Sequence, residues 1–385
     1  MSDFTEKKLN IGIVCYPSVG GSGIVATQLG SGLAELGHDV HFISYDPPFR
    51  LNIKQPNISF HQVELNAYEL FKFPDYTLPL AVKIVEVANK FKLDILHVHY
   101  AVPHATAALL AKSIANEQKI RFPHIITTLH GTDITLLGRD KNLMPVIKYG
   151  IEASCGVTAV SQNLKEDTEE VLKSNKKIDV IYNFYKLILP SRNKLEARES
   201  LGIKESDFLL LHMSNLRKVK RIPDLFEIMS KLKNQPNIKM LILAGGNFDQ
   251  YQDQVEKLGM ERQVIIVNNV LDIENYIVAA DLGVYTSEEE SFGMGILETM
   301  SYGKAVLATN IGGIPEVMVD GETGFLFAVG DTSGFAEKII ELAENKSVLQ
   351  KLGENAQKRA EDKFSQEVVV KQYLEYYKKI MIECN

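Results

Sequence analysis

The sequence predicts an α/β protein of two doubly wound, Rossmann-like domains, and three observations carry that prediction. Its 385 residues exceed what one hydrophobic core usually organises, at roughly 100 to 200 residues per domain. Short β-branched runs alternate with longer amphipathic stretches, the pattern of a parallel sheet covered by helices. The pattern pauses once, at a polar, Pro-containing stretch around residues 189–193, and then resumes.

In the first half, residues 9–16, 39–45, 95–98, 124–128 and 156–160 read as buried strands. Between the first two, Ile24, Val25, Leu29, Leu33 and Leu36 recur at helical spacing. After a boundary near residues 184–195, strands are predicted at 208–213, 239–244, 264–267, 282–285 and 305–309. Residues 364–382, rich in Tyr, Val and Lys, read as a long terminal helix.

Hydrophobic residues at 45% and charged residues at 24% are ordinary for a soluble globular chain. A formal charge of −7 argues against a broad nucleic-acid surface, which needs Lys and Arg to neutralise phosphates. No apolar run approaches the ~20 residues of a membrane span, and the first residues carry acids rather than a signal-like apolar core. The expectation is a cytoplasmic protein without stable membrane insertion. A homo-oligomer is compatible with the sequence, which marks no interface. The three cysteines, Cys15, Cys155 and Cys384, are few and scattered, so they read as reduced thiols rather than a disulfide framework or zinc site.

The first strand ends in Pro17-Ser18-Val19-Gly20-Gly21-Ser22-Gly23, and a helix follows. Backbone N–H groups and a positive helix end would face an anion there. Gly21 to Ala26 also fits a loose dinucleotide fingerprint, with Asp46 closing the next strand where a ribose-binding acid would lie. The loop before the glycines is longer than a dinucleotide turn, so a nicotinamide enzyme and a plain glycine-rich turn both stay open.

The second half holds the sharper element: Ser287-Glu288-Glu289-Glu290-Ser291-Phe292-Gly293-Met294-Gly295-Ile296-Leu297-Glu298 follows a strand and runs into a helix. Placing the turn at Ser291 to Gly293 sets Glu290 just before the helix and Glu298 about one turn inside, leaning back toward its start. Both carboxylates then reach one ligand. Carboxylates accept hydrogen bonds from sugar hydroxyls, and the N–H groups of the Phe292 to Met294 turn suit phosphate or sugar oxygens. A solvated acidic cap would account for Glu290 but not for Glu298.

This element, with Met-Ser-Tyr-Gly-Lys-Ala-Val after it and then Gly312-Gly313-Ile314-Pro315-Glu316, resembles retaining glycosyltransferase family 4. The resemblance covers nearly the whole chain. It implies the GT-B architecture: two Rossmann-like domains facing across a cleft, with residues 1–186 binding acceptor, 187–363 binding nucleotide-sugar, and a terminal helix over 364–385 crossing back. Four further segments, Cys15 to Gly23, His97 to His104, Thr127 to Asp133 and Ser214 to Arg221, resemble the branch that transfers N-acetylglucosamine from UDP-N-acetylglucosamine to L-malate, the first step of bacillithiol biosynthesis. Another acceptor, a sugar-nucleotide epimerase and a non-catalytic sensor remain as alternatives.

By that resemblance Glu298 holds the ribose, Glu290 the transferred sugar, and Lys220 the diphosphate. Asn215 replaces the arginine that commonly lies five residues before this lysine, leaving Arg217, Lys218 and Arg221 as nearby positive groups. Gly21, Ser22, Asn215, Arg217, Ser291, Phe292, Gly293 and Met294 complete the donor side. His130, at the carboxyl edge of the first sheet, lies beside the transferred sugar, so His130 and Glu290 are the catalytic candidates. Ser22, Tyr100, Thr128 and Lys148 are the acceptor candidates. His97 and His99 share a strand face, yet no suitable third ligand is evident. The chain also lacks an Asp-any-Asp element, so neither metal nor cofactor is expected.

Overall fold

The computed structural model describes residues 7–17, 20–65 and 76–384. Ser18 and Val19 of the glycine-rich loop lie outside them. The chain forms two compact units, Met1–Phe184 together with Gln366–Asn385, and Tyr185–Ser365. Among the described residues, no helix is long and apolar enough to cross a membrane.

The first unit is a seven-stranded parallel sheet of β1 (Asn10–Val14), β2 (Asp39–Ser44), β3 (Ile58–Gln62), β4 (Ile95–His99), β5 (His124–Leu129), β6 (Gly156–Ala159) and β7 (Asp179–Val180), in the order β3-β2-β1-β4-β5-β6-β7. The order reverses between β1 and β4, the switch point at which doubly wound sheets bind ligands beyond their carboxyl ends. Every residue of β4 is buried, as expected of a strand covered on both faces. Edge strands β3 and β7 went unread in the sequence. β7 has only two residues, and β3 carries Ser, His and Gln on a half-exposed edge.

The second unit is a six-stranded parallel sheet of β8 (Phe208–Ser214), β9 (Ile238–Ala244), β10 (Val264–Asn268), β11 (Leu282–Tyr285), β12 (Ala305–Thr309) and β13 (Gly324–Phe327), in the order β10-β9-β8-β11-β12-β13. β13 escaped the sequence reading for the same reason: it is a short edge strand, mostly half-buried.

The terminal helix is not continuous from residue 364. One helix ends at Phe364, Ser365 is extended, and a new helix, Gln366–Glu383, packs on the first unit. Gln366 Nε2 donates to the Gln28 carbonyl (2.6 Å), and the Tyr376 hydroxyl donates to the Val157 carbonyl (3.2 Å). The Gly21–Glu35 helix admits it closely: a Cβ on Gly32 would lie 2.7 Å from Val370 Cγ2 and 3.0 Å from Gln366 Nε2. Gly32→Val should therefore lower stability by about 1 to 3 kcal/mol through overpacking. An unchanged urea midpoint would mean the two helices do not meet there.

Four histidines, His97, His99, His104 and His212, are fully buried. Burial foremost holds His97 down at about 3, and His104 and His212 at about 4, with His99 also well below the ordinary value. Their unfolded forms take up protons below about pH 6.5 while the folded forms resist, so stability falls as pH drops from 6.5 toward those values. Buried Asp133, raised to about 6, works in the opposite direction but is outnumbered. Each fully shifted histidine is worth about 1.4 kcal/mol per pH unit. Urea midpoints should accordingly be lower at pH 5 than at pH 7.5, and equal midpoints would show that these imidazoles titrate normally in the folded chain.

Candidate active site

In the second unit the chain leaving β11 is stitched onto the short turn Lys218–Lys220. Thr286 Oγ1 donates to the Lys220 carbonyl (3.1 Å), Glu288 N to the Val219 carbonyl (2.8 Å), and Thr309 Oγ1 to the Ser287 carbonyl (2.5 Å). Gly313 N donates to the Glu290 carbonyl (3.0 Å). A Cβ on Gly312 would stand 2.0 Å from that carbonyl oxygen, and one on Gly313 would stand 2.3 Å from the Ser291 oxygen. The Gly-Gly pair exists so that two backbones can touch, which fixes where Glu290 sits.

Phe292 is buried edge-on to Phe364 at 5.7 Å, and Gly293, at φ 103°, turns the chain into the helix Met294–Ser301. The first N–H groups of that helix have no intrahelical acceptor. Glu298 lies in its second turn, 8% exposed. The Tyr285 hydroxyl donates to the Gly295 carbonyl (2.8 Å). Burial first, then the charges of Glu298 and Glu290, raise the Tyr285 pKa.

Lys220 and Glu290, read separately from the sequence, form an ion pair with each other. Both are largely buried. Arg221 is spent on Asp224 (2.8 Å) and Glu288 (3.0 Å), which removes it from the list of neighbouring free cations. Asn215 is exposed and its Oδ1 accepts from Arg217 N (3.4 Å). The exposed Arg217 guanidinium has no ion-pair partner among the described residues.

In the first unit the carboxyl ends of β4 and β5 carry a second cluster. The Tyr100 hydroxyl donates to Ser22 Oγ (2.8 Å), at the start of the Gly21–Glu35 helix. Its ring lies 5.1 Å from His130, and Tyr100 itself holds a positive φ of 81°. Asp133 joins the two loops, accepting from Ala101 N (3.1 Å) and Gly131 N (3.1 Å). The sequence reading named Asp133 only as the end of a segment and weighed His99 only as a metal ligand, assigning neither this role.

Hydrogen-bond arithmetic sets the tautomers. His104 Nδ1 faces the His99 carbonyl, which only accepts, so that nitrogen carries the proton. His99 Nε2 is buried without a partner, and orphaned buried N–H groups are rare, so His99 is protonated on Nδ1. It then donates to His130 Nε2 (2.8 Å). His130 is left with its own N–H on Nδ1, which has no partner among the described residues. Burial and nearby His104 hold His130 far below its ordinary pKa, so this donor belongs to a neutral ring.

Two acceptor candidates make contacts of other kinds. Thr128 is fully buried, its hydroxyl shared among His97 Nε2 (2.6 Å), Thr158 (2.7 Å) and Tyr373 (3.3 Å), so it supports the cluster from beneath. Lys148 donates to the Lys173 carbonyl (3.2 Å), just past the helix Gln162–Leu172, and pairs with Glu152 (3.8 Å). The other ring nitrogen of His97 meets the Tyr377 hydroxyl (2.7 Å), so both are engaged and neither is open to a metal. The cysteines are not scattered either: Cys155 and Cys384 meet beside His124.

The family described as Glycosyltransferase Family 4 matches residues 19–187, and the one described as Glycosyl transferases group 1 matches residues 193–359. The chain is 44% identical over 372 residues to N-acetyl-alpha-D-glucosaminyl L-malate synthase of Bacillus anthracis, covering 96% of this chain and 97% of that protein. A glycosyltransferase from Rickettsia africae shares the fold at a TM-score of 0.79 with 23% identity, over 98% of this chain and 99% of that one. Anabaena HepE, solved with UDP and glucose, does so at 0.77 with 20% identity, over 96% and 99%. With two doubly wound sheets, the paired glutamates and these matches in hand, the chain belongs to glycosyltransferase family 4.

Proposed function

We propose that the protein transfers N-acetylglucosamine from UDP-N-acetylglucosamine to L-malate with retention at the anomeric carbon, the first step of bacillithiol biosynthesis, in the cytoplasm. The observation that carries this reading is 44% identity, over nearly the full length of both chains, to a protein named for that product. The bond from C1 to the β-phosphate oxygen breaks, and the malate hydroxyl oxygen bonds to C1 on the same face. The hydroxyl proton passes to the departing phosphate, which leaves as UDP. The protein positions the two molecules and stabilises charge.

On the donor side Glu298 accepts from the ribose hydroxyls and Glu290 from those of the sugar. Asn215 lies beside the diphosphate, which Lys220 and Arg217 neutralise with the N–H groups of the turn Ser291 to Met294 and of Gly21. This arrangement calls for no divalent ion. His130 offers its Nδ1–H to the transferred sugar, while Ser22 and Tyr100 face malate. Thr128 acts through His97, and Lys148 has no part.

L-Malate should be required for UDP release from UDP-N-acetylglucosamine, with an α-linked product. Succinate, which lacks the attacking hydroxyl, should be inert. D-Malate should be about 100-fold slower, because misplacing a nucleophile by about 1 Å costs that much. Release independent of malate, or equal use of a neutral sugar alcohol, would refute the acceptor. Glu298→Ala should weaken UDP binding by about 10- to 150-fold, since hydrogen bonds to a charged group are worth roughly 1.5 to 3 kcal/mol. Unaltered UDP affinity in a folded variant would remove Glu298 from the ribose.

A further inference from the structure

His124 opens β5, Cys155 immediately precedes β6, and Cys384 follows the last residue of the terminal helix. The three come from distant parts of the sequence, and their ligand atoms all lie within 4.8 Å of one another. Cys155 Sγ is 4.0 Å from His124 Nδ1. The cluster stands at the amino ends of β5 and β6, the edge of the sheet opposite His130.

We propose that His124, Cys155 and Cys384 form a zinc-type metal site, with the fourth position open to water. Two sulfurs and one imidazole are the donor set such ions prefer, and two thiolates neutralise a divalent charge. With Zn–S of about 2.3 Å and Zn–N of about 2.0 Å, tetrahedral ligands stand roughly 3.5 to 3.8 Å apart. Closing the cluster around an ion needs only a small movement of Cys384, which is exposed and ends a helix. A disulfide would use two of the three donors and leave the place of His124 unexplained.

A bound ion fastens the end of the helix whose Tyr373 and Tyr377 hydroxyls meet Thr128 and His97.

The test uses the full chain, reduced and stripped of metal, titrated with Co²⁺ and then Zn²⁺. One equivalent of cobalt should give a near-ultraviolet thiolate-to-cobalt band that zinc abolishes. Cys384→Ser, at an exposed position, and His124→Ala should each weaken zinc binding by about tenfold or more. The absence of the cobalt band overturns the proposal, as does undiminished zinc affinity in Cys384→Ser. A Cys155–Cys384 disulfide formed in air despite excess zinc also overturns it, and assigns the pair to redox chemistry.

Discussion

The first unit depends on one requirement: polar rings buried inside a parallel sheet must find partners. His97, on a fully buried strand, has a hydroxyl on each nitrogen, from Tyr377 and from Thr128. Thr128 in turn meets Thr158 and Tyr373. Both tyrosines come from the terminal helix, so the last segment of the chain completes the polar accounting of the sheet's centre. Satisfied members make a buried network of this kind rigid, and the unpartnered Nε2 of His99 is left as a bare acceptor rather than a lost donor. His99 and His130 are stacked upon it, at ring separations of 4.5 and 5.0 Å, and the outward N–H of His130 is its final consequence.

Central strands and the glutamate element were legible in the sequence because burial on both faces writes continuous apolar runs, and because Glu290 and Glu298 straddle a turn of recognisable composition. Edge strands were not, since Asp179–Val180 carries too few residues for any period to show. Local pattern gives the direction of a side chain along its own strand but not what meets it from elsewhere. Thr128 is polar and follows that rule correctly, yet a hydroxyl from Tyr373 lies over it. Nothing local to Lys148 announced the carbonyl it meets. The same limit hid the meeting of Cys155 with Cys384.

The Lys220–Glu290 pair gives the second unit its own economy. Two largely buried opposite charges are held together, and removing either alone would leave the other uncompensated. Gly312 and Gly313 hold the carbonyl side of Glu290 while the lysine holds its carboxylate. The position of this glutamate is thus fixed from both ends by contacts that tolerate no added atom and no lost charge.

The split sequence of the first unit also governs the order in which the chain can assemble during synthesis. Residues 185–365 are continuous, and that unit has its entire sequence as soon as Ser365 clears the ribosome. The first unit begins to emerge earlier but stays incomplete, with His97 and Thr128 lacking their tyrosine hydroxyls until residues 366–385 follow. The usual vectorial sequence, N-terminal domain first, is therefore inverted. A chain that has emerged only as far as Ser365 holds a complete second unit and a first one that still lacks its tyrosine hydroxyls.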